Sequence, residues 1–495
     1  MIKRLLLGIV ALVLLLVVVL AVNTLRKGSR QIDVPALAQL EIDKAGAGAR
    51  LGEAVRARTI ASRTDPAQNS DQFEQLHVML RTRYPKVHAT LKREVVNGLS
   101  LLYTWPGSDP QAQPILLMAH QDVVPISPGS EQQWTVDPFS GVLKDGFIWG
   151  RGAWDDKGNL IAQMEAVEIL LSSGYQPVRI VYLACGADEE VSGERGAARI
   201  AALLKQRNVR LAFVIDEGLL ITEGIMPGLS KPAALIGVAK KGYLSVVVKV
   251  PGAPGHSSMP PPKNTSAIAV MSHALEQIDN DQMPAGISGI AAEMFATVAP
   301  EMDGLARVAL SKLWLFGPIV QKQLEADAST NALLRTTTAL TMVNAGNADN
   351  VMPGEVAATI NYRMLPGDSL ASVMQRLKAQ VTKALGNGRF ELVALPNASE
   401  ASKVSATGSV PYQLINRTVR EIFPGTLVAP GLMIGATDSR HYSGISDNIF
   451  RFSPVRAKTE DLARFHGSNE RISADNLAEL IRFYHRLLTV GAQVT

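Results

Sequence analysis

At 495 residues, with 47% hydrophobic and 19% charged side chains, the chain is too long for one compact domain and too apolar for a disordered one. Its formal charge of +4 is concentrated at the start, because residues 1–30 hold Lys3, Arg4, Arg26, Lys27 and Arg30 and no acid, which leaves about −1 for the remainder. A near-neutral body offers no field for phosphate backbones, so nucleic acid is not an expected partner. The single cysteine, Cys185, excludes a disulfide within the chain and a cysteine metal cluster.

Leu5 to Val22 is an uninterrupted apolar run of about 18 residues, which as a helix covers roughly 27 Å. Lys3 and Arg4 precede it as in an export signal, while small residues are sparse at its end. This predicts an uncleaved signal-anchor over residues 1–30, with membrane attachment through that helix and the body outside the cytoplasm. Basic residues flank both ends, so charge bias leaves the orientation open.

Helical spacing of apolar residues follows over Asp33–Arg58 and Asp71–Tyr84. Short apolar runs then alternate with helical segments. "PILLMAHQDVV" precedes a helix from Gly158 to Ser172, and "VRIVYLACGADEE" precedes one from about Glu194 to Gln206. "LAFVIDEG" and "PAALIGVAKKG" come next. Such alternation predicts an α/β fold, a helix-covered mixed sheet, whose ligands gather at the carboxyl ends of the strands.

From Gly242 the pattern becomes strand, helix, strand, strand, helix, strand: "GYLSVVVKV", Thr265–Ile278, "TTTALTMVNAG", "EVAATINYRML", Leu370–Leu385 and "RFELVAL". That order predicts an inserted ferredoxin-like (β-α-β-β-α-β) domain over 241–398, with an extra segment at about 279–335. The flanking parts, 31–240 and 399–495, are expected to form one larger domain interrupted by this insertion. Its second part contributes a helix near Gln413–Phe423, the strand "NIFRFSPV" and a helix over Ala474–Leu488.

The polar residues at strand ends carry the chemistry. His120 and Asp122 alternate with Gln121, so on a strand both point the same way. Taken singly, this pair reads as a core histidine beside an acid, and Asp155-Asp156 as a helix cap with an acidic first turn. Asp188-Glu189-Glu190 and Asp216-Glu217 read as solvated loops, and His466 as a loop histidine. Three consecutive acids after an apolar strand nevertheless need cations to neutralise them. Together the segments supply two histidines, several carboxylates and no thiolate. That is a donor set for Zn²⁺, which Mn²⁺ or Co²⁺ also suit.

In this order "MAHQDVVP", "WGRGAWDDKGN", "ADEEVSGERGA", "VIDEG", "GHSS", "GATDSRHY" and "RFHGSNERI" resemble the co-catalytic zinc family of aminoacylase, carboxypeptidase G and carboxypeptidase S. The likeness covers roughly residues 70–490 and is greatest to the branch of carboxypeptidase S and N-fatty-acyl-amino-acid hydrolases. It implies two Zn²⁺ per chain bridged by Asp155, one completed by His120 and Asp216, the other by Glu190 and His466. It further implies that Asp122 orients the His120 ring, that Glu189 is the general base, and that the Asp155–Asp156 peptide is cis. On the inserted domain, His256 would stabilise the oxyanion, across a homodimer in many relatives. Arg363 would grip a substrate α-carboxylate, with Asn350 and Gly435 beside it. Ala436 stands where the family usually has a second glycine.

The expectation is therefore a membrane-anchored di-zinc exo-hydrolase that cleaves the amide bond next to a free α-carboxylate in small peptides or N-acyl amino acids. The alternatives are a dedicated N-acyl-amino-acid hydrolase or synthase, and a non-catalytic binding protein on the same fold. His77, His88, His273 and His485 are expected to be structural, and His441 lies near the proposed site.

Overall fold

The computed structural model describes residues 2–386 and 388–493. Met1, which opens the expected anchor, Asn387, inside 241–398, and Val494 and Thr495, which close the final segment, lie outside the described residues. The chain divides into two compact units. One comprises 1–238, 293–312 and 405–495, and the other 239–292 and 313–404. Residues 293–312, from the middle of the expected extra segment, thus belong to the first unit.

The first unit is built on an eight-stranded sheet. From one edge its order is Lys92–Val96, Ser100–Trp105, Val181–Gly186, Ile115–His120, Phe213–Thr222, Ile449–Ala457, Ala233–Lys240 and Leu427–Met433. The four central strands run parallel. Every residue of Ile115–His120 and Val181–Gly186 is buried, as sheets covered on both faces require. The covering is helical: Lys157–Ser172 packs on Ala474–Gly491, whose Leu477, Leu480, Ile481 and Phe483 are inaccessible.

Parallel strands place their carboxyl ends along one rim, and the chemistry-bearing residues follow from there. His120 ends one strand and Gly186 the next, three residues before Glu189. In the third, Arg451 pairs with Asp216 but Phe452 pairs with Leu219. Glu217 and Gly218 are therefore bulged out, Gly218 with φ +151°, a backbone state that suits glycine.

Several expectations are corrected. The helix expected from Asp33 begins only at Lys44, where the Asp43 carboxylate accepts from the Gly46 amide as an N-cap. The helix expected from about Glu194 begins at Ala197, because Gly193, with φ +65°, turns the chain first. The hairpin Lys92–Val96/Ser100–Trp105 and the edge strand Leu427–Met433 were not anticipated.

The second unit carries a four-stranded antiparallel sheet in the order Thr337–Ala345, Glu355–Met364, Gly242–Pro251 and Glu391–Ala394. The helices Ala267–Asn280 and Leu370–Leu385 pack on it through Met271, Ile278, Val373, Leu377 and Val381. Chain order is strand, helix, strand, strand, helix, strand, interrupted by short helices between Gly289 and Leu334. The edge strand Thr337–Ala345 exposes Leu340, Met342 and Val343.

His77 on the helix Ser70–Arg83 is structural. Its Nε2 lies 2.7 Å from Gln121 Oε1, and Gln121 Nε2 donates to Cys185 O at 2.8 Å. Gln121 is thus pinned on one face of the sheet while its neighbours point to the other. Burial, only partly offset by Gln121, lowers the His77 pKa to about 4, against about 6.5 for a free imidazole. Protonation then favours the unfolded chain. The contribution is whole above pH ~6.5 and drains as pH falls towards 4. Urea unfolding at pH 7.5 and pH 5 should show His77→Asn losing about 2 kcal/mol less than the parent over that interval. Equal losses would show that His77 is not held neutral.

Candidate metal centre

Three sequence-distant segments deliver their donors to one buried point. Ligand atoms of His120, Asp155 and Glu190 all lie within 4.8 Å of one another. His120 Nε2 is 2.9 Å from Asp155 Oδ1, and His466 Nε2 is 2.8 Å from Asp155 Oδ2. One carboxylate therefore faces two imidazoles, one on each oxygen. His466 Nε2 is also 3.3 Å from Glu190 Oε1, a buried oxygen with no hydrogen bond of its own.

Local structure explains the aim of each side chain. Asp155 precedes the helix Lys157–Ser172, and the Asp155–Asp156 peptide is cis. Asp156 turns to the other side, where Oδ2 accepts from the His120 amide at 3.1 Å and Oδ1 accepts from Asn159. The buried Lys157 ammonium donates to Ala54 O and Ala57 O at 3.0 and 2.6 Å. It thereby caps the carboxyl end of Lys44–Arg56, which favours a cation.

Asp122 does more than orient a ring. Its carboxylate accepts from the amides of Glu189 and Glu190, at 3.1 and 3.0 Å. His120 Nδ1 sits 2.9 Å from the Asp122 carbonyl and 3.4 Å from the carboxylate. The nearer partner of the ring is thus the backbone oxygen, and the carboxylate ties the acid-bearing turn to the histidine strand.

Asp216 lies outside the group of three converging donors. Its Oδ2 accepts from the Ser439 amide at 2.8 Å. Glu189 opens a short 3₁₀ turn, half-buried, ahead of Ser192 with φ +108°. Gly435 follows the strand Leu427–Met433, and the 3₁₀ turn Asp438–Tyr442 comes next. His441 Nε2 lies 3.4 Å from Ser192 O.

Sequence reasoning missed Asp438. Its buried carboxyl is held well above the usual range by burial and by Asp216 and Asp122, and its Oδ1 lacks a hydrogen bond. Asp438 sits in the "GATDSRHY" motif, which did not single it out.

The electrostatics show which charge the pocket favours. Burial pushes Glu189 and Asp156 well above the carboxylate range and raises Asp216 and Glu190, and neighbouring acids add to the rise at Glu189, Asp156 and Glu190. The histidine pKa values rise as well, which for imidazole favours the charged form. A hydrogen bond to Asp155 and the nearby Glu190 carboxylate lift His466 to about 10. Burial opposes ionisation of His120, but Asp122 and Asp155 outweigh it and raise that ring well above its ordinary value. Clustered acids demand positive charge, and protons on imidazole supply it when nothing else does. The donors present, imidazole and carboxylate around an orphaned oxygen, fit divalent cations.

The other expected site residues sit on the second unit. His256 is exposed on the short strand Gly255–His256, its Nδ1 2.8 Å from Ser258 Oγ. The Asn350 carbonyl accepts from the Ser257 amide at 3.0 Å. Arg363 lies half-buried on Glu355–Met364 with its guanidinium carbon 4.7 Å above the Tyr243 ring.

Residues 116–490 match the model of Peptidase family M20/M25/M40. A probable carboxypeptidase S-like 2 of Dictyostelium discoideum is 38% identical over 98% of this chain and 93% of its own length. An N-fatty-acyl-amino acid synthase/hydrolase PM20D1 of Mus musculus is 41% identical over 84% of this chain and 82% of its own. Among solved structures, an M20 family metallo-carboxypeptidase from Sulfolobus solfataricus superposes with a TM-score of 0.63. It shares 17% identity and covers 91% of this chain and 100% of that one, which establishes the likeness of fold.

Proposed function

Because the chain belongs to peptidase family M20/M25/M40, a family of metal-dependent hydrolases, we propose that it is a two-metal exo-hydrolase. It cleaves the amide bond beside a free α-carboxylate in small peptides or N-acyl amino acids. The observation that carries this reading is Asp155 standing between His120 and His466, with Glu190 beside them in a pocket of buried acids. Zn²⁺ is the proposed ion, two per chain, and Mn²⁺ or Co²⁺ suit the same donors. His120, Asp155 and Asp216 would hold one, and Asp155, Glu190 and His466 the other.

Two divalent ions at such a site lower the pKa of a shared water and polarise the scissile carbonyl. The chain's own groups do the rest. Asp122 fixes the turn that carries Glu189 and Glu190, so adjacent carboxylates diverge, one towards the cations and one towards substrate. Glu189 takes the proton from the attacking water and hands it to the departing amine nitrogen. A raised carboxyl pKa suits that exchange, since the group must both accept and release the proton. His256 donates to the developing oxyanion. Arg363, whose guanidinium carbon lies over the Tyr243 ring, would fork onto the α-carboxylate, and Asn350 and Gly435 are the further residues proposed to bind that group.

The test is a mass-spectrometric screen of dipeptides and N-acyl amino acids with zinc- and manganese-loaded protein. Turnover should be confined to substrates with a free α-carboxylate. Equal turnover of their C-terminal amides would remove Arg363 from its role, and no turnover of either class would sink the reading. A dedicated N-acyl-amino-acid hydrolase or synthase is the second reading, supported by the 41% identity to the mouse enzyme of that name. The same screen separates the two.

We propose further that the helix Ile2–Leu25, long and apolar, with exposed residues at 2–12 and 14–19, anchors the protein in a membrane with the catalytic body outside the cytoplasm. A homodimer through the inserted domain is supported by the edge strand Thr337–Ala345, whose open side carries Leu340, Met342 and Val343. Sedimentation of the detergent-solubilised full chain should give twice the monomer mass, and Met342→Lys should return it to monomer.

A further inference from the structure

The buried carboxylate of Glu470 and the guanidinium of Arg151 form no hydrogen bond to the side chain of any proposed ligand, yet their hydrogen bonds reach the backbone of two of them. Glu470 is inaccessible to solvent. Its Oε1 accepts from three successive amides of the loop that ends in Asp155: Gly152 at 2.9 Å, Trp154 at 3.0 Å and Asp155 at 3.1 Å. Its Oε2 accepts from Arg151 Nη1. The other arm of the same guanidinium donates to the carbonyls of His466 and Gly467, at 2.9 and 3.1 Å.

His466 needs that support. It adopts φ +58°, a left-handed backbone that a side-chain-bearing residue rarely takes unless its surroundings impose it. Its ring is then set 2.8 Å from Asp155 Oδ2. The far end of the loop is fixed separately, where Asn469 accepts from the Thr135 amide at 2.7 Å and donates to Gln133 O at 2.8 Å. The contacts thus form a chain: Asp155 amide, Glu470 carboxylate, Arg151 fork, His466 carbonyl.

Resting on the two-metal reading, we propose that Glu470 and Arg151 are positioning residues that set the spacing between Asp155 and His466, and so decide whether the second cation is held. His120 and Asp216 are fixed by other contacts, through Asp122, Asp156 and the Ser439 amide. Cutting the clamp should therefore weaken one site and spare the other. Glu470→Gln is the sharpest cut. A Gln carbonyl still accepts from the three amides, while its NH₂ faces Arg151 and the link to the His466 loop is lost. Arg151→Lys keeps a positive charge near Glu470 but gives up the fork that reaches both carbonyls.

The experiment is metal titration of the full-length protein with Zn²⁺ against a competing chelator. Co²⁺ absorption spectra and thermal unfolding of the metal-free protein accompany it. Wild-type protein should bind two equivalents. Both variants should bind the first as wild type does and the second about 10- to 100-fold more weakly, the usual scale for a group behind a ligand. The Co²⁺ spectrum should change only on the second addition, and turnover should return at high metal concentration. Unchanged affinity at both equivalents, or equal weakening of both together with a lowered unfolding temperature, would overturn the clamp. Wild-type protein that binds no metal would overturn the two-metal reading itself. Should Glu470→Gln fail to fold, Arg151→Lys decides the matter by the same titration.

Discussion

Glu189→Gln is expected to keep both metal ions and to lose between ~10²- and ~10⁴-fold in kcat, the range general-base removal commonly costs. The reasoning is local. Gln is nearly isosteric, and the amide of residue 189 still bonds the Asp122 carboxylate, so the turn that aims Glu190 should stand. What disappears is a carboxyl that burial and its neighbours Asp438 and Glu190 have raised well above the usual range. The loss should fall on kcat with little change in KM, because substrate contacts are assigned elsewhere. Metal analysis beside steady-state kinetics decides it. Turnover near wild type with two ions bound would remove Glu189 from the base role.

Asp155→Ala should be more damaging, and through a different route. Asp155 is the carboxylate that faces both imidazoles, so its loss strips a shared donor from each proposed ion. Without bound cations the attacking water keeps the high pKa of bulk water, and turnover should fall by at least ~10⁴-fold. Metal content measured after dialysis should drop from two equivalents to fewer than one. Retention of two equivalents would mean that Asp155 bridges nothing. The pair of variants separates chemistry from assembly: Glu189→Gln fails with metal, Asp155→Ala fails for want of it.

Much of this was legible in one dimension because the physics is local there. Ile115–His120 is apolar up to the histidine that ends it and Val181–Gly186 runs apolar to just short of the acids 188–190, and only a fully buried parallel strand makes sense of that. The helix Leu370–Leu385 was legible to its ends, since Ser369 caps it and Gly386 stops it. The hairpin before it all was passed over although Asn97-Gly98, both with positive φ, carries the strongest short turn signal a sequence offers. Leu427–Met433 was hidden by Pro430, which reads against a strand and is tolerated because this one lies at the sheet edge. Asp438 and Glu470 were not separable from other loop acids, because what distinguishes them is who surrounds them after folding.

The position of Ile449–Ala457 in the sheet has a consequence for biosynthesis. That strand lies between Phe213–Thr222 and Ala233–Lys240, segments the ribosome completes more than two hundred residues earlier. In the folded sheet those two strands pair with each other only at their tips, Ile221 with Ala234 and Thr222 with Ala233, and the later strand lies between them along the rest of their length. His466 follows directly behind that later strand. A polypeptide that has not yet delivered this strand therefore lacks both the middle of its sheet and His466, the histidine proposed for the second ion.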